Sequence, residues 1–220
     1  MHLPSQCAIC KAWPSHAICS ACVGAFGQPV PRCQRCAAES SLQICSACLQ
    51  TPSALNACWA AMAYVWPWTS LIAQFKFQGQ ASWARHFALL MQNAPFAADA
   101  IEQADALIPI PLSFQRLAER GYNQSLMLSQ KLSSPKTHPH SLLRMRHTPA
   151  QSSLPRPERL TNLNGAFAVA PLMASKLRGQ RVMLIDDVMT SGATLEAAAQ
   201  VLKQAGAAHV CALVFARTPA

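Results

Sequence analysis

The chain has 220 residues, more than the usual single domain and few for two, so one main core with a small appendage is expected. Its formal charge is +9, but the excess lies in one third of the chain: residues 1–55 carry +2, 56–115 carry −1, 116–181 carry +9 and 182–220 carry −1. Eight of ten cysteines fall within the first 48 residues, which places the appendage at the N-terminus. The opening residues hold neither a basic nor an apolar export segment, so the expectation is a cytoplasmic protein with reduced thiols.

Residues 1–53 contain four Cys-x-x-Cys pairs, Cys7/Cys10, Cys19/Cys22, Cys33/Cys36 and Cys45/Cys48. A shift of 26 residues maps the first two pairs onto the last two, and Ile18–Cys22 recurs unchanged as Ile44–Cys48, so the segment is an internal duplication. Two thiolates on one tight turn reach the same tetrahedral ion, and two such turns close a four-sulfur site with no position left for water. Two structural zinc ions are expected, because Trp13, Ile18, Leu42 and Ile44 are too few to fold these repeats on burial alone. The spacing leaves crossed pairing of the four turns open.

Residues 54–220 read as an α/β domain. From Ser40 to Phe75 there is no charged residue, yet Pro67, Thr69 and Ser70 interrupt the run; a span needs about twenty predominantly apolar residues. A buried strand and helix are expected there, with no membrane span. Cys58 and Cys211, alone in apolar surroundings, read as buried thiols. Asp105 to Leu112 forms a strand ending in a rigid proline turn, followed by a helix through about Leu132. Arg144 to Arg159 is basic and rich in turn formers, a long loop of a kind that is usually functional. The basic stretch from Arg116 to Arg181 suits pyrophosphate or nucleic acid, or else forms a solvated surface.

The most informative segment follows. Arg181 to Ile185 is a short apolar strand, Thr194 to Gln204 a helix stopped by Ala205-Gly206, and His209 to Phe215 a second strand, the order of a right-handed βαβ unit. The loop between them lies at the strand's carboxyl end, where Thr190, Ser191, Gly192, Ala193 and Thr194 offer amides and hydroxyls at the positive end of a helix. Gly192 permits the close approach of such a cradle, and Ser191 and Thr194 suit helix capping. Asp186 and Asp187 stand just before it and suit a pair of vicinal hydroxyls, directly or through Mg²⁺. Phosphate and diol together describe a ribose phosphate.

The segment Val182–Thr194 resembles the phosphoribosyl-pyrophosphate signature of type I phosphoribosyltransferases. That resemblance assigns Asp186 and Asp187 to the ribose hydroxyls and catalysis, and the loop from Val188 and Met189 through Thr194 to the 5-phosphate. Together with Lys76–Gly79, Ile108–Pro111, Arg120–Gln124, Thr148-x-x-Gln151 and Arg159–Phe167, and with the cysteine pairs, the chain resembles the ComF/GntX family. The resemblance implies a type I phosphoribosyltransferase fold behind a double zinc ribbon, and a role in DNA uptake and natural competence. It implies phosphoribosyl pyrophosphate and Mg²⁺ as ligands, and single-stranded DNA and competence-machinery proteins as partners. It places a pyrophosphate-side loop at Ile108 to Ser113, including Pro111, and a mobile flap at about 144–165. Lys76, Arg120, Arg146, Gln151 and Arg159 are candidates for the pyrophosphate side or the flap; Tyr122 is expected to pack. The alternative is an active phosphoribosyltransferase of nucleotide or nucleobase metabolism with no direct DNA role.

Overall fold

A computed structural model describes residues 5–146 and 165–219. Its centre is a parallel sheet in the order β1, β6, β5, β2, formed by Ala57–Ala63, His209–Arg217, Arg181–Met189 and Ala106–Pro109. Leu107 also pairs with Thr137 on the outer side of β2, so a short segment covers that edge. Every residue from Val210 to Ala216 is buried, as a central parallel strand requires when helices cover both faces.

The period of two along the strands divides the core. Val182 and Leu184 of β5, with Val210, Ala212 and Val214 of β6, pack with Leu195, Ala198, Ala199 and Leu202 of the helix Ala193–Gln204. Met183 and Ile185, with Leu213 and Phe215, pack on the opposite face. That face is covered by α3 (Trp68–Phe77), α4 (Trp83–Gln92), α5 (Ala97–Gln103) and α7 (Gln124–Ser133). Phe215 lies at its centre, with ring centroids 4.0 Å from Phe87 and 5.8 Å from Trp68. The uncharged stretch of the sequence is thus β1 and α3, buried as expected, and no helix among the described residues is long and apolar enough to cross a membrane.

The elements differ from expectation at three points. β5 does not stop at Ile185 but runs through both aspartates to Met189, because its register with β6 continues through Asp186–Val214 and Met189–Arg217. β2 ends at Pro109: the Ile110 amide still reaches the Ile185 carbonyl at 3.0 Å, but Pro111 has no N–H to continue the ladder. The segment after it is two helices, α6 (Phe114–Arg120) and α7, broken at Gly121, whose φ of +77° ends the first.

A two-stranded antiparallel ribbon, β3 (Leu142–Arg144) and β4 (Phe167–Val169), clasps the ends of the long loop, and the Met145 amide donates to the Ala166 carbonyl at 2.8 Å. Helix α8 (Pro171–Leu177) leads from β4 into β5, and α9 (Ala193–Gln204) joins β5 to β6. The two remaining helices, α1 (Ser20–Phe26) and α2 (Ser46–Gln50), begin within the second cysteine pair of each repeat, capped by Cys19 and Cys45 and containing Cys22 and Cys48. Cys58 and Cys211 are buried, as expected, and burial pushes both thiols upward, Cys211 to about 12.

Phe215→Ala removes the ring that joins Trp68 to Phe87 across the centre of this face. Urea unfolding monitored by circular dichroism should give a loss of about 3–5 kcal/mol in stability.

Candidate functional site

The carboxyl ends of β5 and β2 and the first turns of α7 and α9 converge on Asp186 and Asp187. Asp187 is buried and its Oδ1 accepts an ion pair from Lys76 Nζ at 2.9 Å, so the end of α3 stations a cation against the pair. Asp186 Oδ1 accepts from Ser125 Oγ at 2.8 Å and from the Asp187 amide at 2.9 Å. Burial, and then the neighbouring Asp187 charge, raise Asp186 to about 7 against the pull of Lys76 and these donors. The pair therefore holds one carboxylate in a direct ion pair with lysine and one that changes charge near neutral pH.

Gly192 has φ +84°, a conformation that L side chains rarely adopt, so the turn favours glycine; a Cβ built there would also displace Met189 Cε, 2.5 Å away at the end of a flexible side chain. The glycine caps α9 through the Glu196 amide, which donates to the Gly192 carbonyl at 2.9 Å. Ser191 Oγ accepts from the Ala193 amide at 3.4 Å, whereas Thr194 lies inside the helix and is not its cap. Val188 and Met189 are the last residues of β5, and Met189 packs in the core beneath the loop. The first amides of a helix have no intrahelical acceptors, so this turn suits an anion.

Ile110 to Ser113 leaves β2 beside β5 and is held by Asn123, whose Nδ2 donates to the Ile110 carbonyl at 3.0 Å while its Oδ1 accepts from the Ser125 and Leu126 amides. Pro111 is half-buried in that turn. Gln124, almost fully buried, accepts from Arg120 Nη1 at 3.0 Å, and its Nε2 has no hydrogen-bond partner among the described residues. An orphaned buried donor one residue from Ser125 fits a site that receives a polar ligand. Tyr122 packs, as expected: its ring lies 5.8 Å from Phe75 and its hydroxyl donates to the Phe75 carbonyl.

Three arginines gather on this side. The Arg120 guanidinium lies over Phe77 at 5.2 Å, and Arg144 lies over Phe167 at 5.3 Å. Burial, then the Arg116 charge, lower Arg144 to about 10, with Asp186 close enough to pull it back; burial, then Arg120, lower Arg116. Cations that depress one another beside a carboxylate pair describe a surface prepared for a multivalent anion. Arg146 sits at the mouth of the β3–β4 ribbon, with Nη2 3.8 Å from a Cβ built on Gly165. Gln151 and Arg159, and most of the expected flap, lie outside the described residues.

The structure thus brings Lys76, Asp186, Asp187, Arg120 and the 188–194 loop into one region. Sequence reasoning did not single out Ser125, Gln124, Arg116 or Arg144 as site residues. Arg120–Gln124 was a usable signal for the first two, since Ser125 follows it directly.

The cysteines resolve into two uncrossed clusters, Cys7, Cys10, Cys19 and Cys22, and Cys33, Cys36, Cys45 and Cys48, with the sulfurs of each within 4.8 Å of one another. Cys7 and Cys22 lie 3.8 Å apart, Cys10 and Cys19 3.6 Å, and Cys36 and Cys45 3.8 Å. Sulfurs at about 2.3 Å from a tetrahedral ion stand about 3.8 Å apart, so each cluster can hold one metal ion. Burial opposes ionisation of Cys7 and Cys33, but backbone amides, led by those of Cys19 and Cys45, outweigh it and hold both at about 6.

A parallel sheet with a carboxylate pair and a glycine cradle at its carboxyl edge defines a phosphoribosyltransferase-type protein. The phosphoribosyl transferase domain model matches residues 87–220. The chain is 32% identical over 227 aligned residues to the DNA utilization protein YhgH of Salmonella typhimurium, covering 98% of each. It is 36% identical to Competence protein F of Haemophilus influenzae over 67% of this chain and 66% of that protein. It is also 33% identical to Competence protein ComFC of Bacillus subtilis over 67% of this chain and 58% of that protein. The chain belongs to the ComF/GntX family of phosphoribosyltransferase-fold proteins with a double zinc-ribbon N-terminus.

Because the folded state holds Asp186 protonated to about pH 7 while the unfolded chain releases that proton near pH 4, stability falls as pH rises across this interval and is flat above it. Asp186→Asn keeps the acceptor for Ser125 and removes the charge. Its melting temperature at pH 8 should exceed that of the wild type by at least several degrees, with the difference vanishing near pH 4.

Proposed function

We propose that this chain is a cytoplasmic protein of DNA uptake and natural competence whose phosphoribosyltransferase domain binds phosphoribosyl pyrophosphate with Mg²⁺. The observation that carries the ligand is the adjacency of Asp186 and Asp187 to the Gly192 cradle, a diol grip next to a phosphate seat. Asp186 and Asp187 hold the two ribose hydroxyls, and the 190–194 turn holds the 5-phosphate. Lys76, Arg116, Arg120 and Arg144 face the pyrophosphate side, with Pro111 shaping its loop, and Gln124 supplies a donor. Asp186 and Asp187 are the residues that would hold Mg²⁺, which would supply positive charge against the pyrophosphate. If transfer occurs, these residues orient the sugar carbon, exclude water and stabilise a departing anion.

Residues 1–53 act as a metal-held docking module, with zinc as the ion, and residues 54–220 as the ligand-binding domain. The biological role rests on the names of the relatives, a DNA utilization protein and two competence proteins. Competence-machinery proteins are the partners expected for the docking module.

A direct DNA role is favoured by α6, where Phe114, 85% exposed, and the exposed Leu117 share a short helix with Arg116 and Arg120. An exposed ring on the same helix as two arginines suits a single strand, whose bases stack and whose phosphates need cations. The alternative, a pentosyl-transfer enzyme of nucleobase metabolism, uses the arginines at its pyrophosphate side but has no need of the exposed Phe114 and Leu117.

Calorimetry with Mg²⁺ should show saturable binding of phosphoribosyl pyrophosphate to the wild type and none to Asp186→Asn/Asp187→Asn; absence of wild-type binding would sink the ligand assignment. Fluorescence anisotropy with labelled oligo-dT should give an affinity that falls steeply with salt. Phe114→Ala should weaken it about tenfold, and Arg116→Gln/Arg120→Gln should flatten the salt slope by about 1.4. An oligo-dT affinity unchanged in both variants favours the metabolic enzyme.

A further inference from the structure

Arg217, the last residue of β6, lies in the middle of the sheet, paired with Ala63 of β1 on one side and Met189 of β5 on the other. Its guanidinium leaves the sheet in two directions. Nε donates to the Cys36 carbonyl at 3.0 Å, inside the second cysteine cluster. Nη1 donates to the carbonyls of Met189, at 3.4 Å, and of Thr190, and to the Thr218 carbonyl and hydroxyl at 3.0 and 2.9 Å. A planar group whose donors are fixed relative to one another thus spans a cysteine turn and the first residue of the phosphate loop.

Other contacts join the same two bodies. Glu196, in the first turn of α9, accepts from Ser53 Oγ at 2.6 Å and from the Ala54 amide at 2.8 Å. The Cys58 amide donates to the Gln34 carbonyl at 2.8 Å, and Cys58 Sγ lies 3.6 Å from Met189 Sδ. Ala37 is fully buried in the core cluster that also holds Met189 and Ala193.

The first repeat is different at the matching position. Lys11 stands where the second repeat has Ala37, both with positive φ, but Lys11 is exposed and its Nζ returns to the Ala8 carbonyl of its own turn. That repeat packs instead through Ala8, Ile9, Ala17 and Ile18 on the opposite face of the sheet.

We infer that Arg217 is a positioning residue that couples the second cysteine cluster to the phosphate loop, so that metal in Cys33–Cys48 and a ligand at 190–194 raise each other's affinity. The ligand half of this inference rests on the phosphate-site assignment above. The mechanical half does not: metal fixes the Cys36 turn, Arg217 transmits that position to the Thr190 carbonyl, and the loop is held in its ligand-ready shape. Linkage makes the effect reciprocal, so a bound ligand must also tighten the binding of that one metal ion.

The test uses the full-length, zinc-loaded protein. Amide exchange of the 189–194 segment should be about tenfold faster in Arg217→Gln, with two zinc ions per chain and exchange of 182–186 unchanged. Arg217→Lys, which cannot span both sites, should behave alike. Cys48→Ser, which opens the second cluster, should also speed 189–194, while Cys10→Ser in the first cluster should not. Equal effects of the two cysteine variants, or unchanged exchange in both arginine variants, overturn the coupling. Equilibrium competition with a chromogenic chelator should show about tenfold tighter zinc binding at one of two sites with Mg²⁺ and phosphoribosyl pyrophosphate present, and this gain should vanish in Arg217→Gln. If calorimetry shows no binding of that ligand, the phosphate-site assignment fails, and the exchange comparison alone decides the coupling.

Discussion

Two neighbouring carboxylates at the end of a buried strand are the constraint around which the site is arranged. Adjacent like charges with little access to water oppose each other, and such a pair persists only with cations and donors fixed beside it. α3 supplies Lys76 to Asp187, and α7 supplies Ser125 to Asp186. Both helices cover the same face of the sheet, where Phe75 and Leu128 are fully buried, so the packing that anchors the helices also sets the polar partners at their ends. The division of labour follows: Asp187 makes the direct ion pair with Lys76, and Asp186, which feels Lys76 only at longer range, is the group whose charge answers to pH.

The arginines present the opposite problem. Arg116 and Arg120 come from α6 and Arg144 from β3, and each is held partly on an aromatic ring or partly desolvated by its neighbours. Cations so arranged gain little from one another; the arrangement is stabilised by an anion that sees all of them at once. A carboxylate pair and a cationic rim on one edge suit a ribose phosphate, the ligand class that the phosphoribosyl transferase domain suggests.

What the sequence revealed was local, and what it hid was long-range. The strand, loop and helix from Arg181 to Gln204 are contiguous, so apolar period, the Gly192 turn and the Asp pair could be seen together. The four-cysteine clusters were legible because the 26-residue repeat states their geometry twice, although only three-dimensional packing chose uncrossed pairing. The continuation of β5 through its charged residues was hidden, since it depends on the ladder with β6 rather than on composition. Lys76 was visible as a motif residue, yet its partner 111 positions away was not. Arg217 carried no signal at all: one arginine closing an apolar strand looks like ordinary surface until the cysteine turn is folded against it.

The duplicated module shows how one sequence unit can be put to two uses. Closed four-sulfur sites do not activate water, so their contribution is shape, and the few apolar residues of each repeat, with Trp13 and Leu42 largely exposed, leave the metal to maintain it. The two copies share their cysteine turns and the left-handed residue after the second cysteine, but differ in its side chain. Lysine keeps that corner of the first repeat in water; alanine lets the same corner of the second sink into the core behind the phosphate loop. A metal-stiffened turn is a rigid object, and rigid objects are useful where a loop must keep its carbonyls pointing away from an incoming anion. Holding the Thr190 carbonyl back through Arg217 leaves the opposite side of the loop, with its amides, to the ligand.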